Sequence, residues 1–192
     1  MRVVQLSSLP QLPVAQLFAR IERAGATGRA GSFAVELRDP ELDARELYEL
    51  GLELRRRTRQ AGAKLIVNDR LDLAMLLGAD GVHLGRRSVT VEDARAVLGS
   101  EAWVSVSAHS VEEAWVPRGA SAVVLAPIAV SPGKGPPLGI EALTEARRRM
   151  PAEAALVALG GIGLDNAHEC LAAGADAVAS IRSDLTSLLD GC

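Results

Sequence analysis

His109 is placed where a histidine could take part in proton transfer. It follows the apolar run WVSVS (residues 103–107) and Ala108, in a chain that has only three histidines. An imidazole has a pKa near neutrality and can therefore accept a proton and return it. A polar residue at a turn is the alternative, although Ser110, with Glu113 three residues later, has the better pattern for capping a helix there. The residue types alone do not distinguish between proton transfer and a structural role in a turn for His109.

Two glycines, a serine and a lysine are suited to binding an anion. Gly160 and Gly161 lie between an apolar run and a helical pattern, where backbone N–H groups can hold a phosphate. Ser180 ends the last apolar run and could add a hydroxyl and a further N–H. Lys134 lies in IAVSPGKGPPLG (residues 128–139), a Gly/Pro-rich segment typical of binding loops. A tight turn at the glycines and a solvated lysine are the simpler alternatives.

Composition and charge argue against several functional classes. The 192 residues carry a net charge of −3, which gives no reason to expect nucleic acid as a partner, and aromatic residues are only 3%, too few for base-stacking surfaces. No apolar stretch is long enough to cross a membrane, and the N-terminal one is too short for a signal peptide. Cys170 and Cys192 match no metal spacing. We expect free thiols and a cytoplasmic protein.

Eight short apolar runs alternate with longer helical patterns along the chain. The strands and helices that they predict determine where the candidate functional residues lie. Most of the runs are continuously apolar, which indicates strands buried on both faces. The alternation predicts a (β/α)8 TIM barrel, a single compact domain over residues 1–192. An open doubly wound sheet is the rival, but the chain has no Gly-x-Gly-x-x-Gly. The predicted strands are Val3–Leu6, Phe33–Leu37, Lys64–Asn68, Gly81–Leu84, Trp103–Ser107, Ala122–Pro127, Ala155–Leu159 and Ala177–Ile181.

Active sites of TIM barrels lie at the carboxyl ends of the strands. The residues that close the predicted strands are therefore the first candidates, and they include Arg38, Asn68 and Asp69. His83 lies inside a predicted strand, where we expect it to line the barrel. The three histidines do not form a metal cluster.

Four segments, in order, resemble the thiamine phosphate synthase/TenI family along nearly the whole chain. They are ELRDPELDARELYELGLELRRRTRQAGAKLIVNDRLDLAMLLGADGVHLG, then VSVSAHSVEEA, then PIAVSPGKGPPLG, then VALGGIGLDNAHECLAAGADAVA. The pattern Asn-Asp-Arg-x-Asp-Leu-Ala followed by GADGVHLG is quite specific to this family. The resemblance implies a TIM barrel that binds a small-molecule thiazole phosphate.

The family has two main branches. Its synthases join a pyrimidine methyl diphosphate to a thiazole phosphate, with Mg²⁺, and release pyrophosphate. Its TenI-like members isomerise the thiazole phosphate to the aromatic tautomer and need no cofactor. A third possibility, from another functional class, is a non-catalytic regulator that binds a phosphate of the thiamine pathway.

Departures from the synthase pattern favour the TenI-like branch. Where synthases resemble one another in Gln-x-Arg-x-Lys, this chain has Glu36, Arg38 and Pro40. A carboxylate close to a diphosphate is repulsive by ~1 to ~4 kcal/mol per close pair. Of the two aspartates that hold Mg²⁺ in synthases, Asp69 matches one, and Ser88 stands at the other. We therefore expect a thiazole-phosphate tautomerase, with the synthase as the alternative.

Arg86 and Arg87 complicate this assignment. Either could replace the missing lysine at a diphosphate, and a solvated loop is the simpler alternative for both.

The resemblance also assigns roles to residues. His109 matches the proposed proton-transfer group of the tautomerases, although synthases carry this histidine too. No metal is expected for a tautomerase, and Asp69 would be a ligand if the protein depends on Mg²⁺. We expect no nucleic-acid or membrane partner, and a homo-oligomer is left open. The expected substrate-binding residues are Arg38, Asn68, Asp69, Ser107, Lys134, Gly160, Gly161 and Ser180.

Overall fold

Eight parallel strands form a closed barrel in chain order, with the first strand paired to the last. The computed structural model describes residues 1–114 and 119–190. The prediction of a (β/α)8 barrel is confirmed. The strands are β1 (Val3–Leu6), β2 (Phe33–Leu37), β3 (Lys64–Asn68), β4 (Gly81–Leu84), β5 (Trp103–Ala108), β6 (Ala122–Leu125), β7 (Ala155–Leu159) and β8 (Ala177–Ser180).

Six α-helices pack outside the barrel in the described part of the chain. After β5 the described residues form turns at 109–114, and after β8 a short 3₁₀ helix covers Thr186–Leu189. In the described residues, two of the eight strands are therefore not followed by an α-helix. The helices are α1 (Val14–Ala26), α2 (Ala44–Ala61), α3 (Leu71–Leu77), α4 (Val91–Leu98), α5 (Glu141–Arg149) and α6 (Leu164–Ala172).

Two apolar layers hold this arrangement. Alternate strand residues point inward, where Val4, Ala34 and Ile66 belong to the cluster that fills the barrel. Their neighbours point outward and pack against the helices, as Phe33 and Leu65 do. Because both faces of the strands are covered, most strand residues are apolar, which is why the strands can be recognised in the sequence. None of the helices in residues 1–114 and 119–190 could span a bilayer.

Two equivalent Gly-Ala-Asp turns anchor the amino-terminal ends of strands. The Asp80 carboxylate accepts from the Leu65 N–H at 2.7 Å and from Arg55 at 2.6 Å. In the second turn, the Asp176 carboxylate accepts from the Leu156 N–H at 2.8 Å. Each aspartate thus links the start of one strand to the loop that leads into the next. Cys170 is a buried free thiol in α6, and Cys192 lies outside the described residues.

Gly81, at the start of β4, has no room for a side chain. A Cβ at this position would lie 2.0 Å from the Trp103 carbonyl oxygen. We expect Gly81→Ala to lower the free energy of unfolding by roughly 3 kcal/mol, because the backbone of β5 would have to move. The matched control is Gly31→Ala, since nothing lies within 4 Å of a Cβ there. Urea denaturation of both variants measures the effect, and equal stability would contradict the tight β4–β5 packing.

Candidate functional site

One large cavity opens at the carboxyl ends of the strands. Its volume is about 790 Å³, and the loops after β2, β3, β4, β5, β6, β7 and β8 contribute to its wall. Glu36, Arg86, Arg87 and Ser88 also line it. The nine residues singled out as candidates from the sequence all lie on this cavity: Arg38, Asn68, Asp69, Ser107, His109, Lys134, Gly160, Gly161 and Ser180.

The cavity is basic although the chain is acidic overall. Five basic and three acidic side chains line it, whereas the net charge of the chain is −3. Arg86 forms an ion pair with Glu113 at 2.7 Å. In the described part of the chain, the other four basic groups, at Arg38, Arg87, Lys134 and Arg182, pair with no carboxylate. Their charge is available to a ligand, and a basic concave surface attracts anions.

His109 is exposed on the cavity wall and is not needed as a cap. The Ser110 hydroxyl accepts from the Glu113 N–H at 3.2 Å, and the Glu113 carboxylate accepts from the His109 N–H at 2.9 Å. The His109 ring lies 3.1 Å, through Nδ1, from the Ala126 carbonyl oxygen. A carbonyl can only accept, so Nδ1 carries the hydrogen in this contact and Nε2 of the neutral ring is left as a base.

A buried histidine joins the cavity to the barrel interior. His83 lines the barrel, as expected, and is 7% exposed. Its Nδ1 lies 3.0 Å from the Ser105 hydroxyl and its Nε2 lies 2.9 Å from the Ser107 hydroxyl. The sequence did not reveal this link. The sequence signal that could have found it is the alternation of side chains along each strand. On adjacent strands β4 and β5, this alternation points His83, Ser105 and Ser107 to the same face of the sheet.

Asp69 has a strained backbone at the cavity wall. Its φ is 64°, the left-handed region, and it is the only non-glycine residue with positive φ in the described part of the chain. The Arg70 N–H donates to the Asn68 carbonyl across it at 2.7 Å, and the Asp69 N–H donates to the His83 carbonyl at 2.8 Å. Asp69 does not cap α3, whose N-cap is Arg70. Strain of this kind clusters at functional sites.

The glycine loop after β7 packs closely on the loop after β6. The Ile128 and Ala129 N–H groups donate to the Leu159 and Gly160 carbonyls, each at 2.9 Å. Gly160 and Gly161 have φ of 92° and 68°, and a Cβ on Gly161 would lie 2.5 Å from the Val130 carbonyl oxygen. A side chain there would strike this neighbouring loop, so the glycines are needed for the packing of the loop in addition to any role toward an anion.

The Ser180 hydroxyl is engaged within the protein. It donates to the Ile162 carbonyl at 3.1 Å and accepts from the Ser183 N–H at 3.1 Å. Asn166, which sequence reasoning missed, braces the same loop, since its amide donates to the Gly161 carbonyl and accepts from the Gly163 N–H, both at 3.0 Å. Backbone N–H groups near Ser180, and not its hydroxyl, are therefore the donors left for a ligand.

A divalent cation would need oxygen atoms from its ligand here. Within the described residues no group of three or more histidine, cysteine or acidic side chains could hold a metal ion. The Ser88 hydroxyl accepts from the Gly85 N–H at 2.7 Å and so closes a turn. Glu36 is 6% exposed in the cavity floor. The third acidic side chain of the cavity, Asp165, lies in the first turn of α6, beside the glycine loop. On the side of β2–β4, Asp69 is therefore the carboxylate suited to Mg²⁺, and one carboxylate plus substrate phosphates is a usual Mg²⁺ arrangement.

The fold and the position of the cavity define the class: a (β/α)8 barrel with a basic candidate site at the carboxyl ends of its strands. A family model described as thiamine monophosphate synthase (TMP-TENI) matches residues 10–183. The chain belongs to this family.

Named relatives agree with the family match. A thiamine-phosphate synthase of Moorella thermoacetica is 42% identical over 158 residues, which cover 80% of this chain and 74% of the relative. One of Roseiflexus sp. is 40% identical over 160 residues, 81% of this chain and 67% of the relative. The solved structure of thiamine phosphate pyrophosphorylase from Pyrococcus furiosus has a TM-score of 0.78 and 27% identity, covering 98% of this chain and 92% of that one.

The strain at Asp69 can be separated from the function of its carboxylate. Asp69→Gly should raise the free energy of unfolding by about 1 kcal/mol, because glycine adopts positive φ without strain. Asp69→Asn, which also tolerates this region, is the matched control and should leave stability nearly unchanged. Both variants should weaken Mg²⁺-dependent binding of pyrophosphate, measured by calorimetry. Destabilisation by the glycine would contradict the interpretation of strain.

Proposed function

We propose that the chain is a thiamine-phosphate synthase, which joins a pyrimidine methyl diphosphate to a thiazole phosphate and releases pyrophosphate. The observation that carries this proposal is that groups able to bind anions lie on two opposite sides of one cavity. One side has the glycine loop after β7 and the segment after β8. The other has Arg38 after β2 and Arg87 after β4. Two phosphorylated substrates need both sides, whereas a tautomerase needs one.

The relatives support the same reaction, since those of Moorella and Roseiflexus are named thiamine-phosphate synthases. The departures that favoured a tautomerase in the sequence weigh less in the structure. Pro40 is exposed and does not line the cavity, and Arg87 does line it. Arg86 is turned toward Glu113. Arg87 is therefore the better replacement for the missing lysine.

Glu36 lies deeper in the cavity than Arg38, which is the residue that would bind a diphosphate. It is buried in the cavity floor and also faces the apolar barrel interior. Arg38 follows it by two residues, roughly 7 Å further along the strand direction. A diphosphate at the rim would therefore meet the Arg38 guanidinium before the Glu36 carboxylate, which reduces the repulsion that the sequence suggested.

In the proposed reaction, the bond from the pyrimidine methylene carbon to the diphosphate oxygen breaks as a bond to the thiazole nitrogen forms. Arg38 and Arg87 would neutralise the charge that develops on the leaving pyrophosphate. Asp69 would hold Mg²⁺ together with diphosphate oxygens, and the ion would supply further neutralisation. The segment after β8 and the glycine loop would fix the thiazole by its phosphate.

The thiazole tautomerase is the second candidate. The observation that favours it is the His109 ring, whose contact with the Ala126 carbonyl leaves Nε2 as a base on the cavity wall. In that reaction His109 would take a proton from one ring atom of the thiazole and return one to another.

Product analysis distinguishes the candidates. The protein is incubated with both synthase substrates and Mg²⁺, and separately with the thiazole tautomer phosphate. We expect thiamine phosphate and pyrophosphate in equal amounts from the first mixture. Aromatisation without thiamine phosphate would overturn the synthase proposal in favour of the tautomerase. Ligand binding with neither product would favour the regulator.

A carboxylate at residue 88 should strengthen the use of Mg²⁺. Ser88→Asp can still accept from the Gly85 N–H and so keep the turn. We expect the Mg²⁺ concentration for half-maximal activity to fall by roughly tenfold, which equals about 1.4 kcal/mol of added binding. Ser100→Asp is the control, since Ser100 is exposed and outside the cavity lining. An equal response to both substitutions would show that residue 88 is not near the metal.

Replacement of His109 separates the two enzymatic candidates. Asparagine keeps polarity but cannot exchange a proton near neutral pH. If the protein is a tautomerase, His109→Asn should lower the isomerisation rate by about 10²- to 10⁴-fold with little change in thiazole phosphate affinity. Under the synthase proposal we expect a smaller loss of turnover, below about tenfold, because neutralisation of the diphosphate supplies more of the rate. Rates, affinity and the thermal melt are measured on one preparation.

A further inference from the structure

Arg20 is a buried arginine without a carboxylate partner. It lies in α1 and is 5% exposed. Its guanidinium donates to the Gln5 side-chain oxygen at 2.6 Å and to the carbonyls of Ile181 at 3.2 Å, Arg182 at 2.6 Å and Ser183 at 3.0 Å. Among the described residues it forms no ion pair. The direct partners of this buried positive charge are therefore neutral oxygens, an arrangement that is costly unless negative groups nearby compensate it.

Gln5 completes this group of contacts. It lies on β1, is 2% exposed, and its amide donates to the Ser180 carbonyl at 3.0 Å and the Ile181 carbonyl at 2.8 Å. Together the two side chains bind the carbonyl oxygens of four consecutive residues, 180–183. Neither Arg20 nor Gln5 lines the cavity, whereas residues 180–183 do. The two side chains thus hold this segment from outside the barrel.

The peptide geometry of the segment determines where its N–H groups point. In a trans peptide the C=O and N–H groups point in opposite directions, and the peptides of this segment are trans. Carbonyls turned toward Arg20 therefore turn the following N–H groups toward the cavity. The Ser183 N–H donates to the Ser180 hydroxyl. Within the described residues, the N–H groups of Ile181 and Arg182 form no hydrogen bond, so two donors remain beside the cavity.

We propose that Arg20 and Gln5 are positioning residues that hold the 180–183 segment so that its N–H groups meet the phosphate of the thiazole phosphate. This inference rests on the proposed function, because that function names the ligand. The aligned peptides between the guanidinium and the phosphate carry the positive potential of Arg20 toward the anion, in the same sense as a helix N-terminus. The phosphate would then be a second negative group, besides the nearby Asp184, that compensates the buried charge.

The charge state of Arg20 agrees with this role. Burial lowers the pKa of the guanidinium, and the nearby Asp184 acts in the opposite direction. An arginine guanidinium stays charged near neutral pH even when burial lowers its pKa.

The test compares binding of the thiazole phosphate with binding of the thiazole alcohol that lacks the phosphate, by calorimetry. Arg20→Met removes the charge and the donors, and Arg20→Lys keeps the charge without the planar fork. We expect Arg20→Met to weaken thiazole phosphate binding by about 10- to 100-fold and Arg20→Lys by less, with alcohol binding unchanged. The matched control is Arg45→Met, on α2, because Arg45 is exposed and forms no ion pair in the described part of the chain.

A second variant keeps the test decisive if Arg20→Met does not fold. Gln5→Leu removes the amide donor and retains the charge of Arg20. It should lower phosphate affinity by about tenfold and leave alcohol affinity unchanged. An equal loss for phosphate and alcohol in these variants would overturn the proposal, since a purely structural role predicts that pattern. The proposal would also be overturned if the two single variants, Arg20→Lys and Gln5→Leu, both fold and bind thiazole phosphate as tightly as the wild-type protein.

Inorganic phosphate separates this inference from the proposed function. Wild-type protein that binds thiazole phosphate but forms no thiamine phosphate would refute the synthase proposal and leave the Arg20 comparison intact. Wild-type protein that binds neither thiazole phosphate nor inorganic phosphate would overturn both.

Discussion

Closure of eight parallel strands into a barrel is the constraint on which the rest of this structure depends. Once the barrel closes, both faces of the strands are covered and there is no sheet edge, so most strand residues are apolar. Polar residues inside the strands, such as Gln5 and His83, are buried with hydrogen-bond partners, and further polar side chains follow where the strands end. The carboxyl ends meet around one opening, which brings Arg38, Asp69 and His109 together from loops that are far apart in sequence. The cavity follows from the topology.

Much of this could be predicted from the sequence because it depends on local patterns. Five strands, including β3 and β7, have the predicted bounds, and the others differ by one or two residues. β6 ends two residues before the expected Pro127, yet Ile128 still donates to the Leu159 carbonyl, so the pairing continues beyond the regular strand. Residues 109–114, where the sequence suggested the start of a helix, form turns, and the Glu113 N–H donates to the Ser110 hydroxyl there.

Contacts between distant residues could not be predicted in this way. The bond of His83 to Ser107 joins two strands, and the contacts of Arg20 span about 160 positions along the chain. The Ser180 hydroxyl, expected to face an anion, is engaged by Ile162 and Ser183 instead. A sequence shows which residue types end the strands, but it does not show which of their atoms the protein already uses. That distinction decides which groups are left for a ligand.

The two sides of the cavity differ in how they would hold an anion. On the β7–β8 side the donors are backbone N–H groups, and Asn166, Ser180 and Arg20 fix the loops that carry them. On the β2–β4 side the donors are the long side chains of Arg38 and Arg87, which make no ion pair in the described part of the chain. Fixed backbone donors specify geometry, whereas flexible cations supply charge and tolerate a change of position. The departures from the synthase pattern, at Glu36, Pro40 and Ser88, fall on the second side, where Arg87 is a second cation beside Arg38. None of these departures falls on the first side, where a replacement would have to rebuild the loop.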